Sequence, residues 1–196
     1  MQYKQAHEIA LRCYRELEPF CEENRIDIVG SLRREKEYPK DIEIVCTPRL
    51  VPILDLFKSE HGKHRSHEFC KAVKNLGIIL KGNPYDGRMV QIMLPEEIKL
   101  DLFIPIPEAY FLQLVIRTGP KEYSHKVIAV SWLKKGWCGT EDGLRLQSES
   151  YRKQTGEKNT WICNTKDPTL PPVWEDEYSL YKWLGLEWVP PAKRHV

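Results

Sequence analysis

The chain of 196 residues carries 30 Lys+Arg against 28 Asp+Glu, a formal net charge of +2, and 41% hydrophobic residues. That length accommodates one domain or two small lobes, and six Trp, nine Tyr and five Phe beside nearly cancelled charges argue against disorder. No run approaches the ~20 apolar residues of a membrane span, and a charge so near zero excludes a binder that relies on a bulk basic field.

In chain order, residues 3–24 predict one amphipathic helix, with Ala6, Ile9, Ala10, Cys13, Leu17 and Phe20 at helical spacing and Pro19 placed to kink or end it. Its charged and apolar residues alternate without a signal-peptide apolar core. A short strand, Ile26 to Val29, stops at Gly30-Ser31. The charged stretch LRREKEYPK then predicts a loop or a single helical turn, and Asp41 to Cys46 alternates strictly as a strand. Two helical pieces are predicted at 51–59 and 66–76, the second with Ser66 as N-cap. Strands at 77–81, 88–94 and 98–104 follow, joined by the turn sequences NPYDG and PEE.

Pro105 and Pro107 mark a boundary near 106. Beyond it a helix is predicted over 108–116, and Gly119-Pro120 opens another that Gly136 closes. Strands at 144–148 and 160–164 and a last helix at 175–184 complete an α+β pattern in two lobes, 1–106 and 107–196. The six cysteines form no CxxC and no disulfide framework, which predicts reduced, buried thiols. His61, His64 and His67 read as a solvated basic loop rather than a zinc site. Trp132, Trp137, Trp174, Trp183 and Trp188 in the second lobe read as packing before they read as base-stacking platforms.

The chemistry concentrates around one strand. Period-two geometry puts Asp41 and Glu43 on one face while Ile42 and Ile44 point to the core. By the same alternation Asp101 emerges between Leu100 and Leu102. Paired carboxylates repel unless neutralised, commonly by a hard divalent cation, and a third acid suits a two-metal clamp for phosphoryl transfer. Alone, D-x-E on a strand is equally what a solvated sheet face displays. The upstream segment shifts that balance, because a Gly30-Ser31 turn offers N–H groups and a hydroxyl to phosphate oxygens. Arg33, Arg34, Lys36 and Lys40 add cations for a nucleoside triphosphate.

Gly30-Ser31-Leu32-Arg33-Arg34 followed by Asp41-Ile42-Glu43 resembles the Gly-Ser…Asp-x-Asp/Glu signature of the nucleotidyltransferase superfamily. Leu100 to Phe103, Arg117-Thr118-Gly119-Pro120 and the closing EDEYSLYKWLGLEWVPPAKR are similar to motifs of family X DNA polymerases, in that family's order. The size and layout are nearest to the family's minimal viral members. The resemblance implies an α+β fold: a nucleotidyltransferase palm with a mixed sheet in 1–106, and a small α+β nucleotide-selecting, DNA-contacting lobe in 107–196. It implies a compact polymerase that adds deoxynucleotides to a primer 3′ hydroxyl, filling gaps with two magnesium ions, or manganese in their place.

Asp41 and Glu43 would bridge both ions, and Asp101 would bind the catalytic one. Gly30, Ser31, Arg34 and Lys40 would hold the phosphates, and Arg117, Thr118 and Gly119 would lie against the sugar and nascent base pair. Glu43 stands where polymerases of this family usually have Asp, and Ile116 and Arg117 where they commonly have aromatics. The family's lyase domain and helix-hairpin-helix clamp have no counterpart, so DNA would be held by Lys121, His125 and Lys126, with Lys134, Lys135, Lys193 and Arg194 as further candidates. The implied partners are gapped or primer-template DNA and nucleoside triphosphates, with no membrane, for a monomer in the cytoplasm (a host's, for a viral or phage source). Two alternatives stay open: a template-independent or small-molecule nucleotidyltransferase, and a non-catalytic nucleic-acid-binding module on a polymerase fold.

Overall fold

Apolar residues three and four apart build the first element. In α1 (Tyr3–Leu17), Ala6, Ile9, Ala10, Cys13 and Leu17 form one buried stripe. Pro19, in the short 3₁₀ turn Glu18–Phe20, ends the helix earlier than its periodicity predicts. Residues 21–24 consequently belong to β1 (Cys21–Ile28), not to the helix. An irregularity between Cys21 and Ile26 interrupts the register there, with Asn24 at φ 55°, a left-handed conformation that Asn tolerates. The computed structural model describes residues 1–54, 60–156 and 158–195.

The chain divides into two compact units, Met1–Pro105 and Ile106–Val196. The first continues with α2 (Gly30–Arg33), β2 (Ile42–Pro48), β3 (Leu50–Leu54) and β4 (Glu60–Arg65). It closes with α3 (His67–Asn75), β5 (Ile78–Lys81), β6 (Met89–Met93) and β7 (Lys99–Phe103). Ser66 caps α3 by accepting from the Phe69 N–H at 3.1 Å. The helix predicted at 51–59 is corrected to strand over its described part, because β3 pairs antiparallel with β4; residues 55–59 lie outside the described residues. That pairing also makes most of the histidine-rich segment strand rather than loop.

The main sheet has the order β1-β2-β7-β6-β5. Only β2 and β7 run parallel in it, so the sheet is mixed. Ile42, Ile44, Leu100, Leu102, Val90 and Ile92 alternate onto one face and pack with the buried side chains of α1 and α3. The other face carries the acids.

The second unit holds α4 (Tyr110–Thr118), α5 (Lys121–Tyr123), a π-helical stretch (Ser124–Ala129) and α6 (Val130–Lys134). After these come β8 (Trp137–Thr140), β9 (Gly143–Leu146), β10 (Ser150–Thr155), β11 (Lys158–Cys163) and α7 (Glu177–Leu184). Its sheet order is β10-β11-β8-β9. A capping box between Asp176 and Ser179 starts α7, and Gly185 ends it at φ 74°. The tryptophans pack the lobe: Trp132 and Trp174 are buried, and Trp183 contacts the rings of both Trp137 and Trp174. Both units are mixed α and β. The cysteines of the described residues are free thiols, all but Cys163 buried, and burial pushes Cys13 up to about 12.

Candidate active site

Alternation on β2 buries Ile42 and Ile44 completely and leaves Glu43 partly exposed on the opposite face. On β7, Leu100 and Leu102 are fully buried and Asp101 is partly exposed between them. The parallel register pairs Glu43 directly with Asp101. Asp41 stands immediately before β2. Burial raises its pKa and the charge of Asp101 raises it further, against a backbone hydrogen bond and the cations Arg34 and Lys40, which lower it. Two of the predicted carboxylates therefore repel each other, with two of the predicted phosphate-binding cations in electrostatic reach. One neighbour was not anticipated. Gln91, opposite Asp101 on β6, donates from Nε2 to Asp101 Oδ1 at 2.8 Å and fixes that carboxyl's orientation. A lone polar side chain between the buried Val90 and Ile92 was the available signal.

The Gly30-Ser31 turn touches the same face. The Val29 N–H donates to the Glu43 carbonyl at 2.8 Å, and the chain then bends into α2 with Gly30 at φ 66°. A Cβ on Gly30 would stand 1.8 Å from Glu43 Oε2, so this glycine is what lets the Glu43 carboxyl lie against the backbone. Ser31 Oγ is buried and has no hydrogen-bond partner. An unsatisfied buried hydroxyl calls for an explanation, and a ligand oxygen beside Gly30 supplies one. Arg34 is partly exposed and Lys40 exposed.

The donor set formed by Asp41, Glu43 and Asp101 is entirely carboxylate oxygen, which a hard divalent cation takes. Among the described residues, no three His, Cys, Asp or Glu side chains converge as a ready metal cage. Asp41, Glu43 and Asp101 are the residues that would hold such a cation.

In the second unit, Arg117 donates from Nε to Gln113 Oε1 at 3.1 Å. Thr118 is fully buried, its hydroxyl donating to the Leu114 carbonyl at 2.7 Å, so this residue offers its surroundings backbone rather than a free hydroxyl. Gly119 takes φ 61°, ψ −151°, a region essentially reserved for glycine, and its bond to Pro120 is cis. Ser124 pins this turn by donating from Oγ to the Ile116 carbonyl at 2.8 Å, a contact the sequence did not announce. Lys121, His125 and Lys126 are exposed along α5 and the π-helical stretch.

Arg194 corrects the reading of the tail. It is 3% exposed, its Nη2 lies 3.2 Å from Glu177 Oε1, its Nε donates to the Val189 carbonyl, and its guanidinium lies over the Tyr181 ring. A side chain so enclosed holds the lobe together and is not a contact for DNA.

Residues 113–195 match the family model described as DNA polymerase beta thumb. This stretch is similar to a polymerase thumb. The match runs from within α4 through the Gly119-Pro120 turn and α7 to the buried Arg194, and it supports a family X polymerase-like relationship and DNA binding. No curated protein matches the chain. No helix among the described residues is long and apolar enough to cross a membrane.

Proposed function

We propose that this protein is a compact DNA polymerase of the family X type that joins deoxynucleotides to a primer 3′ hydroxyl, in short gaps. The observation that carries the reading is the in-register Glu43–Asp101 pair, with Asp41 alongside, facing a Gly30-Ser31 turn whose hydroxyl is unsatisfied. The polymerase-thumb similarity of residues 113–195 supplies the nucleic-acid context.

In this reading Gly30, Ser31, Arg34 and Lys40 hold the triphosphate, with charge-assisted bonds from the guanidinium. Asp41, Glu43 and Asp101 hold divalent cations, which when bound would neutralise the acids and stabilise charge on the attacking and leaving oxygens. Gln91 keeps Asp101 Oδ1 engaged, so that its other oxygen is presented in one direction. Gly119, lacking a Cβ, lets the backbone approach the sugar of the incoming nucleotide, and Lys121, His125 and Lys126 meet the DNA backbone.

Primer extension tests this on gapped, blunt and single-stranded DNA with each nucleotide supplied alone. Templated extension on gapped DNA that stops in EDTA is the expected result. Extension without a template favours the template-independent alternative. DNA binding with no extension under any condition favours a non-catalytic module.

A further inference from the structure

A second site lies within the C-terminal lobe and does not depend on the polymerase reading. A cavity of ≈ 220 Å³ is walled by Leu112, Leu144, Pro171 and Trp174. Arg145 of β9 also lines it. This residue is only 8% exposed, and across the ladder from it stands the fully buried Cys138. Its Nη1 donates to the neighbouring Leu144 carbonyl at 2.7 Å. Among the described residues no carboxylate forms an ion pair with it. Arginine is almost never buried without a counter-charge, because an uncompensated cation in apolar surroundings is costly.

A second donor in the same wall is buried and unsatisfied. Trp174 is 4% exposed, and its indole Nε1 has no hydrogen-bond partner. A guanidinium without an ion-pair partner and a buried, unsatisfied indole N–H, set beside Leu112, Leu144 and Pro171, suit a ligand with an anionic, hydrogen-bond-accepting head and an apolar body. The exposed acids Glu108 and Asp142, which also line the cavity, oppose a doubly charged head.

We propose that this cavity binds a small amphipathic monocarboxylate, its carboxylate on the Arg145 guanidinium and its apolar body against Leu112, Leu144 and Trp174. A planar carboxylate matches the guanidinium fork, and the volume admits a body about the size of a phenyl ring with a short alkyl arm. The exposed Leu170 and Val173 flank Pro171 at the cavity and extend its apolar wall outward.

The test is a titration of the full chain with 3-phenylpropionate, followed through the Trp174 indole N–H resonance, assigned with Trp174→Phe. The neutral 3-phenylpropanol and the doubly charged 3-phenylpropyl phosphate run in parallel. The expected result is saturable perturbation of that resonance by the acid, at least ~10-fold weaker binding of the alcohol and of the phosphate ester, and loss of the preference in Arg145→Leu. No perturbation at about 10 mM acid, where a ligand of this size should bind, overturns the proposal. So does equal binding of acid and alcohol, or tighter binding of the phosphate ester. If Arg145→Leu does not fold, the acid–alcohol comparison on the unaltered chain decides: a ~10-fold preference upholds the site and parity overturns it.

Discussion

Replacing Arg194 by Met tests whether the chain's last arginine is part of the fold. The Arg194–Glu177 pair is 3.2 Å long, and its side chains are 0% and 7% exposed. Removing one partner of a buried pair costs about 3–5 kcal/mol, because the remaining charge keeps its desolvation and loses its attraction. Glu177 would retain the Trp188 indole, which donates to Oε2 at a long 3.4 Å, a weaker interaction than the lost guanidinium. The Val189 carbonyl and the Tyr181 ring lose their contacts at the same time. For a unit of this size, each kcal/mol moves the midpoint by about 4–8 °C, so the C-terminal lobe should melt at least ~10 °C lower in Arg194→Met. Thermal unfolding followed by tryptophan fluorescence reads this directly, since all six tryptophans are in that lobe. Glu177→Gln combined with Arg194→Met should recover part of the loss by removing the buried charge. An unchanged midpoint, together with weakened and less salt-sensitive DNA binding, would refute the argument and return Arg194 to the DNA-contacting set.

Gly30→Ala should cost about 1–2 kcal/mol of stability from the left-handed backbone alone and, by displacing Glu43, slow extension by more than ~10-fold; full activity at reduced stability would detach Glu43 from the chemistry. Asp41 titrates above its ordinary value because of burial and Asp101, so its contribution to metal-free stability is full at low pH and is lost as pH rises through the raised value. Carboxyl NMR titration should find Asp41 lower in Asp101→Asn, and an unmoved Asp41 would rule out that coupling. Lys121→Ala and Lys126→Ala should each weaken duplex binding without regard to sequence and reduce the slope of log K against log salt by ~0.9. Anisotropy titrations at several salt concentrations would show an unchanged slope if these lysines are merely solvated.

Legibility from sequence followed the strength of local patterning. Strands with clean alternation were readable where buried aliphatics flank a partly exposed acid, as at Ile42 to Ile44 and Leu100 to Leu102, although Val45 and Phe103 on the acids' side are buried too. β10 was not readable, since the exposed Tyr151, Arg152, Lys153 and Gln154 bury neither face strongly. β8 is four residues long and contains a glycine, too short to establish a period. β3 was mistaken for helix because Leu50, Val51, Ile53 and Leu54 suit either spacing, and only pairing with β4 decides. The acids Asp41, Glu43 and Asp101 could be named, and the face of Asp101 inferred, from alternation alone. Alternation carries no register between strands, so the Glu43–Asp101 pairing and Gln91 as neighbour came only with the sheet. The burial of Arg194 was illegible for the same reason: its partner Glu177 is reached through tertiary packing, and exposed and buried arginines look alike in a sequence.

The most direct test of the central claim is single-turnover extension of a one-nucleotide gap by the unaltered protein and by Asp101→Asn, with DNA affinity and thermal midpoint measured on both. The account predicts magnesium-dependent insertion of the templated nucleotide by the unaltered chain and a loss of at least ~10²-fold in Asp101→Asn, the scale of removing a principal electrostatic stabiliser, with affinity and midpoint nearly unchanged. Comparable insertion by the two proteins, or no insertion by the unaltered chain despite tight DNA binding, would contradict it.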